Sequence, residues 1–389
     1  MSGNDSTHLL PRIHQVHKVV ISGTGLWTAP DAISNEELVA SYNAYVARFN
    51  GEHSAEIASG AMAPLPESSV EFIEKASGIK RRYVIDKAGV LDPTRMKPRF
   101  QPRPDDQVSL MAEIGVAAAR EALAKAGRSG TDIDLVICAA SNMQRAYPAI
   151  AIEIQKVIGA RGYAFDMMVA CSSATFGLEQ AVNAISTGSA RAALIVSPEI
   201  CSAHLAWQDR DCHFIFGDVC TALVVERAED ATAGSQWEIL GTRMATSFSN
   251  NIRNNAGFLT RCEDRQPDSR DLLFRQEGRK VFKEVCPMAA DHITAQLAAL
   301  SLAPNQVRRF WLHQANLAMN QLVGKRLLGR EATADEAPII LDEFANTASA
   351  GSVIAFHRHN ADLSPGDIGV LCSFGAGYSI GSLVLRKAG

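Results

Sequence analysis

Short β-branched runs alternate with longer Ala- and Leu-rich runs along this chain, the pattern of an α/β protein. Residues 18–27 (KVVISGTGLW) predict a strand that enters a Gly-rich turn. Over 105–128, Val108, Met111, Ala112, Ile114, Ala118, Ala122 and Leu123 recur at helical spacing, and Gly127 closes the run. Two further runs, 134–142 (DLVICAASN) and 193–201 (ALIVSPEIC), predict buried strands. Between them, 165–173 leads into a helix over 172–186, and 223–226 continues a strand after Phe216-Gly217-Asp218.

The pattern also repeats. Residues 135–142 (LVICAASN) resemble 309–316 (RFWLHQAN), Ala170-Cys171-Ser172-Ser173-Ala174 resembles Ala345-Asn346-Thr347-Ala348-Ser349, and 194–197 (LIVS) resemble 370–373 (VLCS). The offsets of 174, 175 and 176 residues are nearly equal and keep one order. A period that long suits a duplicated half, not a solenoid. The chain therefore reads as two similar βαβ-type halves, 1–233 and 234–389, joined by a polar stretch around 228–237 (AEDATAGSQW). Residues 41–69, helical in flavour and ending in a Pro-containing loop, fall outside the repeat and read as a surface insertion or a dimer-facing lid.

Composition removes several classes. The 389 residues leave room for two or three packing units. With 47% apolar and 21% charged residues, the chain is neither disordered nor a disulfide miniprotein. A net charge of −4 leaves nucleic acid without a general binding surface. Basic clusters at Lys80-Arg81-Arg82, 95–103 and Arg308-Arg309 read as solvated surface. No run approaches the roughly 18 apolar residues of a membrane span, so no membrane insertion is expected. The start, MSGNDSTHLLPRIHQVHK, has no apolar core before a cleavage site, so no export signal is expected and the expected compartment is cytoplasmic. Eight scattered cysteines without a C-x-x-C pair read as reduced, mostly buried thiols.

One of those thiols stands out. Cys171 falls at a strand-to-helix junction, where unpaired N–H groups and the helix dipole would lower its pKa. The duplicated position is Asn346, also at a helix start, and the repeat brings the two starts together near a pseudo-twofold axis. His313, in WLHQAN at a strand end, is the third polar group able to converge there. Together the three can supply a nucleophile, a proton-handling imidazole and an amide donor.

Cys171 in VACSSATFGL, His313 in HQAN, Asn346 in NTASAGS and the loop Ser373-Phe374-Gly375-Ala376-Gly377 resemble the active-site motifs of the beta-ketoacyl-ACP synthase III family, within the thiolase superfamily. The resemblance spans 18–389, with Gly78-Ile79-Lys80-Arg81-Arg82 and Phe216-Gly217-Asp218 as supporting signatures. It implies the thiolase-like five-layered αβαβα fold. It further implies that Cys171 takes an acyl group from an acyl-CoA, and that a malonyl-ACP then loses CO₂ and attacks the acyl-enzyme. His313 and Asn346 would stabilise the malonyl-derived enolate, and the N–H groups of Cys171 and Ala376 would form the oxyanion hole. The chemistry needs no metal or organic cofactor.

Other motifs fail on physical grounds. Gly377-Tyr378-Ser379-Ile380-Gly381 matches the G-x-S-x-G of hydrolases, but a strand follows it and no histidine comes after His359. Gly23-x-Gly25 is too short for a dinucleotide fingerprint. His357-Arg358-His359 lacks a ligand set for a metal. A degradative thiolase would carry a second catalytic cysteine where Ser373 stands, and the adjacent Cys372 points to the opposite strand face.

The resemblance also has departures. The coenzyme A grip of the family falls on 71–78, where Phe72 can stack on adenine, Ala76 replaces an arginine and Lys75 is a candidate substitute. The family's carrier-contacting arginine corresponds to Ala318, which leaves Lys325, Arg326 and Arg330 as candidates for docking. Tyr147, in RAYP, matches the aromatic that crosses a homodimer interface to floor the partner's acyl pocket. The insertion and the altered grip resemble the longer members that prime with medium-chain acyl-CoA, which makes an octanoyl-like primer the expectation. Use of another acceptor in a specialised pathway is the enzymatic alternative, and a catalytically silent heterodimer partner the non-enzymatic one; the presence of Cys171 argues against the latter.

Overall fold

The computed structural model, which describes residues 17–264, 266 and 269–389, builds its first half from β1 (Val19–Thr28), β2 (Asp31–Ser34), α1 (Asn35–Glu52), α2 (Ser54–Ala58), α3 (Val70–Ser77), β3 (Arg81–Val84), α4 (Lys87–Leu91), α5 (Leu110–Ala126), β4 (Leu135–Ala139), α6 (Ile150–Ile158), β5 (Tyr163–Met167), α7 (Ser173–Ser186), β6 (Ala192–Ile200) and β7 (Asp218–Arg227). The second half holds β8 (Trp237–Ser249), β9 (Ile252–Arg253), β10 (Arg275–Gln276), α8 (Gly278–Ala299), β11 (Val307–Leu312), α9 (Leu317–Leu328), α10 (Leu341–Phe344), α11 (Ala350–Arg358), β12 (Ile368–Gly375) and β13 (Gly377–Lys387). The N-terminal stretch read for an export signal lies outside the described residues, apart from His17 and Lys18.

The strands follow one plan twice. In the first half β4 lies parallel to β6, β6 antiparallel to β7 and β7 antiparallel to β1. In the second, β11 lies parallel to β12, β12 antiparallel to β13 and β13 antiparallel to β8. The two half-sheets meet where Val20 and Ile21 of β1 pair with Glu238 and Trp237 of β8, giving the order β11-β12-β13-β8-β1-β7-β6-β4-β5.

Alternation along each strand sorts the core into layers. Val136, Leu194, Val196, Ala222 and Val224 face outward onto α5 and α6. Their neighbours Ile137, Ile195, Leu223 and Val225 face inward onto α7 and α11, together with Leu371, Leu383 and Leu385 of the second half. Phe310, Leu312, Val370, Cys372 and Val384 face the other way, onto α8 and α9. The result is the five-layered αβαβα arrangement, with α7 and α11 in the middle.

Several sequence expectations shift in detail. The helix expected over 105–128 begins at Leu110, because the Ser109 hydroxyl accepts the Ala112 N–H and caps it. It ends where Gly127 takes φ 65°. The segment 41–69 is no mere surface addition: Tyr42, Tyr45 and Val46 are buried with Trp207, Phe214 and Met96. Two arginines read as solvated surface are interior. Arg82 is fully buried, donating to the Ile33 and Phe214 carbonyls and to Asn35 Oδ1, and burial pulls its pKa down to about 9. Arg309 is buried too, paired with Asp335 and Asp362 and capping the His359 carbonyl. A cation that satisfies carbonyls inside a fold looks identical, in a one-dimensional pattern, to one facing water.

Among the described residues, no helix is long and apolar enough to cross a membrane. All eight cysteines are free, six of them buried, with Cys171 half-buried and Cys262 exposed.

Candidate active site

Cys171 sits in a single 3₁₀ turn, Ala170–Ser172, between β5 and α7. Ala170 enters that turn at φ 46°, in the left-handed region that alanine rarely adopts. The Ser173 hydroxyl fixes the turn by accepting the Val169 N–H at 2.8 Å and donating to the Ala140 and Ala170 carbonyls. The sulfur faces the C-terminal Gly loop so closely that a Cβ on Gly375 would stand 3.0 Å from it. The backbone N–H groups of Ala376 and of Cys171 itself act on the sulfur by pulling its pKa down.

The expected low thiol pKa is overturned. Burial, helped by the Glu199 carboxylate, pushes Cys171 up to about 12, while those two N–H groups pull the other way. One turn separates the sulfur from the start of α7, so desolvation outweighs the helix terminus. At rest the group is a thiol.

His313 follows the last residue of β11 and is 2% exposed. Its ring stands edge-on to Phe374 at 5.2 Å, and its Nδ1 is buried without a hydrogen-bond partner among the described residues. Burial lowers the imidazole to about 4, so it is neutral at physiological pH. The rest of the HQAN motif is scaffolding. Gln314 bonds the Leu312 and Pro338 carbonyls and accepts the Ile340 N–H, and Asn316 caps α9 while donating to the Ala76 carbonyl.

Asn346 follows Ala345, whose φ of 57° and ψ of −162° fall in a region that glycine normally fills. Its backbone is pinned on both sides, N–H to the Ile215 carbonyl and C=O to the Gly217 N–H. Its Oδ1 accepts the Ala348 N–H at 2.9 Å, which leaves the amide NH₂ as the group on offer.

Adjacent structure draws the three together. Phe374, against His313, and Gly375, against Cys171, are consecutive on β12. Gln314, next to His313, packs on Gly351 of α11, the helix that Asn346 leads into. Cys171 lies against the cluster that contains Phe216, Ala345 and Ala348, flanking Asn346. The decoys find structural work: the Ser379 hydroxyl donates to the Ala376 carbonyl and contacts Ser172, and Ser373 meets Ser352 at 2.6 Å. Cys372 is buried on the α8/α9 side, the opposite face from Ser373.

Phe72 is half-buried on α3, and one ring face already carries the Arg210 guanidinium at 3.7 Å, with Phe214 edge-on at 5.9 Å. No local pattern marks Arg210, which lies far along the chain. Tyr147 is 84% exposed. Of the docking cations, Lys325 is paired with Glu331 and Arg330 with Glu336. A cleft of about 680 Å³, lined among others by Leu110, Met111, Met143, Ile200 and His204, shares Glu199 with the surroundings of Cys171.

Comparison with known proteins bears on the family and the fold. The family described as 3-oxoacyl-[acyl-carrier-protein (ACP)] synthase III matches residues 165–247, and its C-terminal part matches 297–387. The beta-ketodecanoyl-[acyl-carrier-protein] synthase of Pseudomonas aeruginosa PAO1 is 60% identical over 347 residues, covering 89% of this chain and 99% of that protein. The beta-ketoacyl-[acyl-carrier-protein] synthase III of Brucella anthropi is 32% identical over 82% of this chain and 91% of its own length. Among solved structures, the 3-oxoacyl-[acyl-carrier-protein] synthase III of Aquifex aeolicus VF5 superposes with a TM-score of 0.73 at 24% identity, covering 95% of this chain and 99% of that one.

Proposed function

The chain belongs to the 3-oxoacyl-[acyl-carrier-protein] synthase III family of fatty-acid condensing enzymes, and from that premise we propose that Cys171, His313 and Asn346 carry a priming condensation that starts from a medium-chain acyl-CoA, octanoyl-like in length. The observation that carries the site assignment is that consecutive residues of β12, Phe374 and Gly375, lie against His313 and the Cys171 sulfur respectively. The primer assignment is supported by the name of the 60%-identical relative, since a ketodecanoyl product is an eight-carbon primer plus two carbons.

In the first half-reaction the Cys171 sulfur attacks the thioester carbonyl. The two N–H groups hold the tetrahedral oxyanion, and the departing coenzyme A thiolate carries off the proton the thiol has lost, so no net proton is consumed. In the second, the malonyl carboxylate leaves as CO₂ and its electron pair moves onto the thioester oxygen. A neutral His313 and the Asn346 NH₂ both donate to that oxygen without titrating near pH 7. The enolate carbon attacks the acyl-Cys171 carbonyl, the acyl–sulfur bond breaks, and the released Cys171 thiolate takes a proton from solvent, the one proton the condensation consumes.

Adenine is proposed to stack with Phe72 and Arg210. The second substrate is proposed to be malonyl-ACP, met by cations other than Lys325 and Arg330, which are already paired. A homodimer is proposed because β5 ends the sheet unpaired and the segment around it exposes Tyr147, Ile152, Val157, Tyr163 and Met168. Tyr147 then reaches the partner's acyl cleft. The proposed compartment is the cytoplasm, and the proposed division of the halves falls between 233 and 234.

Intact-mass measurement after mixing with acetyl-, butyryl- or octanoyl-CoA tests the reading. The octanoyl adduct should form fastest and map to Cys171. The six added methylenes are worth up to about 5 kcal/mol of burial. Preference for acetyl-CoA would overturn the primer assignment, and an adduct on another residue would overturn the site.

A further inference from the structure

Glu199, at the end of β6, is 1% exposed and lies between the two halves. It accepts the Ser141 N–H at 3.0 Å and the Ser141 hydroxyl at 2.5 Å from the loop after β4. From the Asn346 turn it accepts the Ser349 N–H at 3.2 Å and the Ser349 hydroxyl. Among the described residues, no lysine, arginine or histidine is paired with it. A buried acid without a cation is costly to keep, and its oxygens are already occupied by donors, so it has no free lone pair with which to act as a base.

The turn it grips needs a clamp. Residues 345–349 carry positive φ at both Ala345 and Ala348, 57° and 47°. Within the turn the Asn346 carboxamide is oriented by its bond to the Ala348 N–H, the residue next to Ser349. We propose that Glu199 is a positioning residue for the condensation half-reaction, holding Ser349 so that the Asn346 carboxamide faces the developing enolate. This rests on the roles given above to Cys171 and Asn346. Acyl transfer to Cys171 uses the N–H groups of Cys171 and Ala376, which Glu199 does not hold, so the two half-reactions should part company.

The test uses the full-length enzyme with Ser349→Ala and Glu199→Gln. The Gln amide turns N–H groups toward one pair of donors and so opens one arm of the clamp; Ser349→Ala removes a single hydroxyl and keeps the proposal testable if Glu199→Gln does not fold. Acylation of Cys171 by octanoyl-CoA, followed by intact mass, should proceed within about twofold of wild type in Ser349→Ala; in Glu199→Gln, which also removes the charge that helps hold the Cys171 thiol up, it should be no slower than wild type. Condensation of the pre-acylated enzyme with malonyl-ACP should slow about ten- to hundredfold. In an Asn346→Ala background, Ser349→Ala should cause no further loss. Equal slowing of both half-reactions, unchanged condensation, or an additive loss in the double variant overturns the proposal. A wild-type enzyme that is never acylated at Cys171 would instead bring down the underlying site assignment.

Discussion

Ala170 and Ala345 stand 175 residues apart, and each turns its backbone to positive φ, 46° and 57°, one residue ahead of Cys171 and Asn346. The duplication has copied a backbone kink as well as a pattern of strands. The same bend presents a thiol in one half and a carboxamide in the other.

That kink has a measurable cost. Ala345 occupies a region that costs an L-residue about 1–3 kcal/mol, against about 0.4–1 kcal/mol of extra chain entropy that a glycine would lose on folding. Ala345→Gly should therefore raise the urea unfolding free energy by about 1 kcal/mol. A destabilised Ala345→Gly variant would show that the strain has been misjudged.

Gly375 should tolerate no side chain. A Cβ there would meet the Cys171 Cβ at 2.6 Å and the sulfur at 3.0 Å, displacing the nucleophile by a large fraction of an ångström. Gly375→Ala should slow Cys171 acylation about a hundredfold. Its backbone φ lies outside the glycine-only range, so any fall in the thermal midpoint comes from the clash alone and should correspond to about 1–3 kcal/mol. Stopped-flow release of coenzyme A reads the first effect and calorimetry the second.

Acid should destabilise the fold before it reaches the ordinary carboxylates. Burial holds His204, His213, His313 and His357 at about 4, against 6.5 in an unfolded chain. Their stabilisation is complete above pH 6.5 and is lost as pH falls toward 4, because the unfolded chain takes up protons that the folded one refuses. Glu199 and Asp218, raised to about 7 and about 6, act with the opposite sign and lose their contribution as pH rises through those values. Four groups against two leave a net loss on acidification, so urea midpoints should fall between about pH 6.5 and pH 4.

The Phe72–Arg210 stack should matter for binding more than for chemistry. Arg210→Ala should raise KM for acyl-CoA about fivefold and Phe72→Ala about tenfold, with kcat within about twofold. Steady-state kinetics with a pantetheine thioester that lacks the nucleotide is the control, and there both variants should match wild type.

The legible parts of this protein are those written locally. Strand alternation, the 175-residue period and the order Cys171, His313, Asn346 all survive in one dimension, and they lead to the fold and to the three groups that converge. Arg82, Arg309, Glu199 and Arg210 are not legible, because each is defined by what it touches across long stretches of chain: the carbonyls of Ile33 and Phe214, acids after α9 and α11, two serines in opposite halves, and a phenyl ring on α3. Tyr42 and Tyr45 were hidden for the same reason, since a helical stretch does not say which neighbour will cover it. The Cys171 pKa was misjudged because a helix terminus can be read from sequence and desolvation cannot.

The middle layer has a consequence for the chain as a whole. Because α7 and α11 complete a single interior with strands from both copies, each copy supplies the ceiling of the other. Neither could persist as a smaller enzyme after truncation; a lone half would be a sticky, loosely packed fragment. Heat should melt the protein in one cooperative step, and a flaw seeded in either copy would be felt throughout.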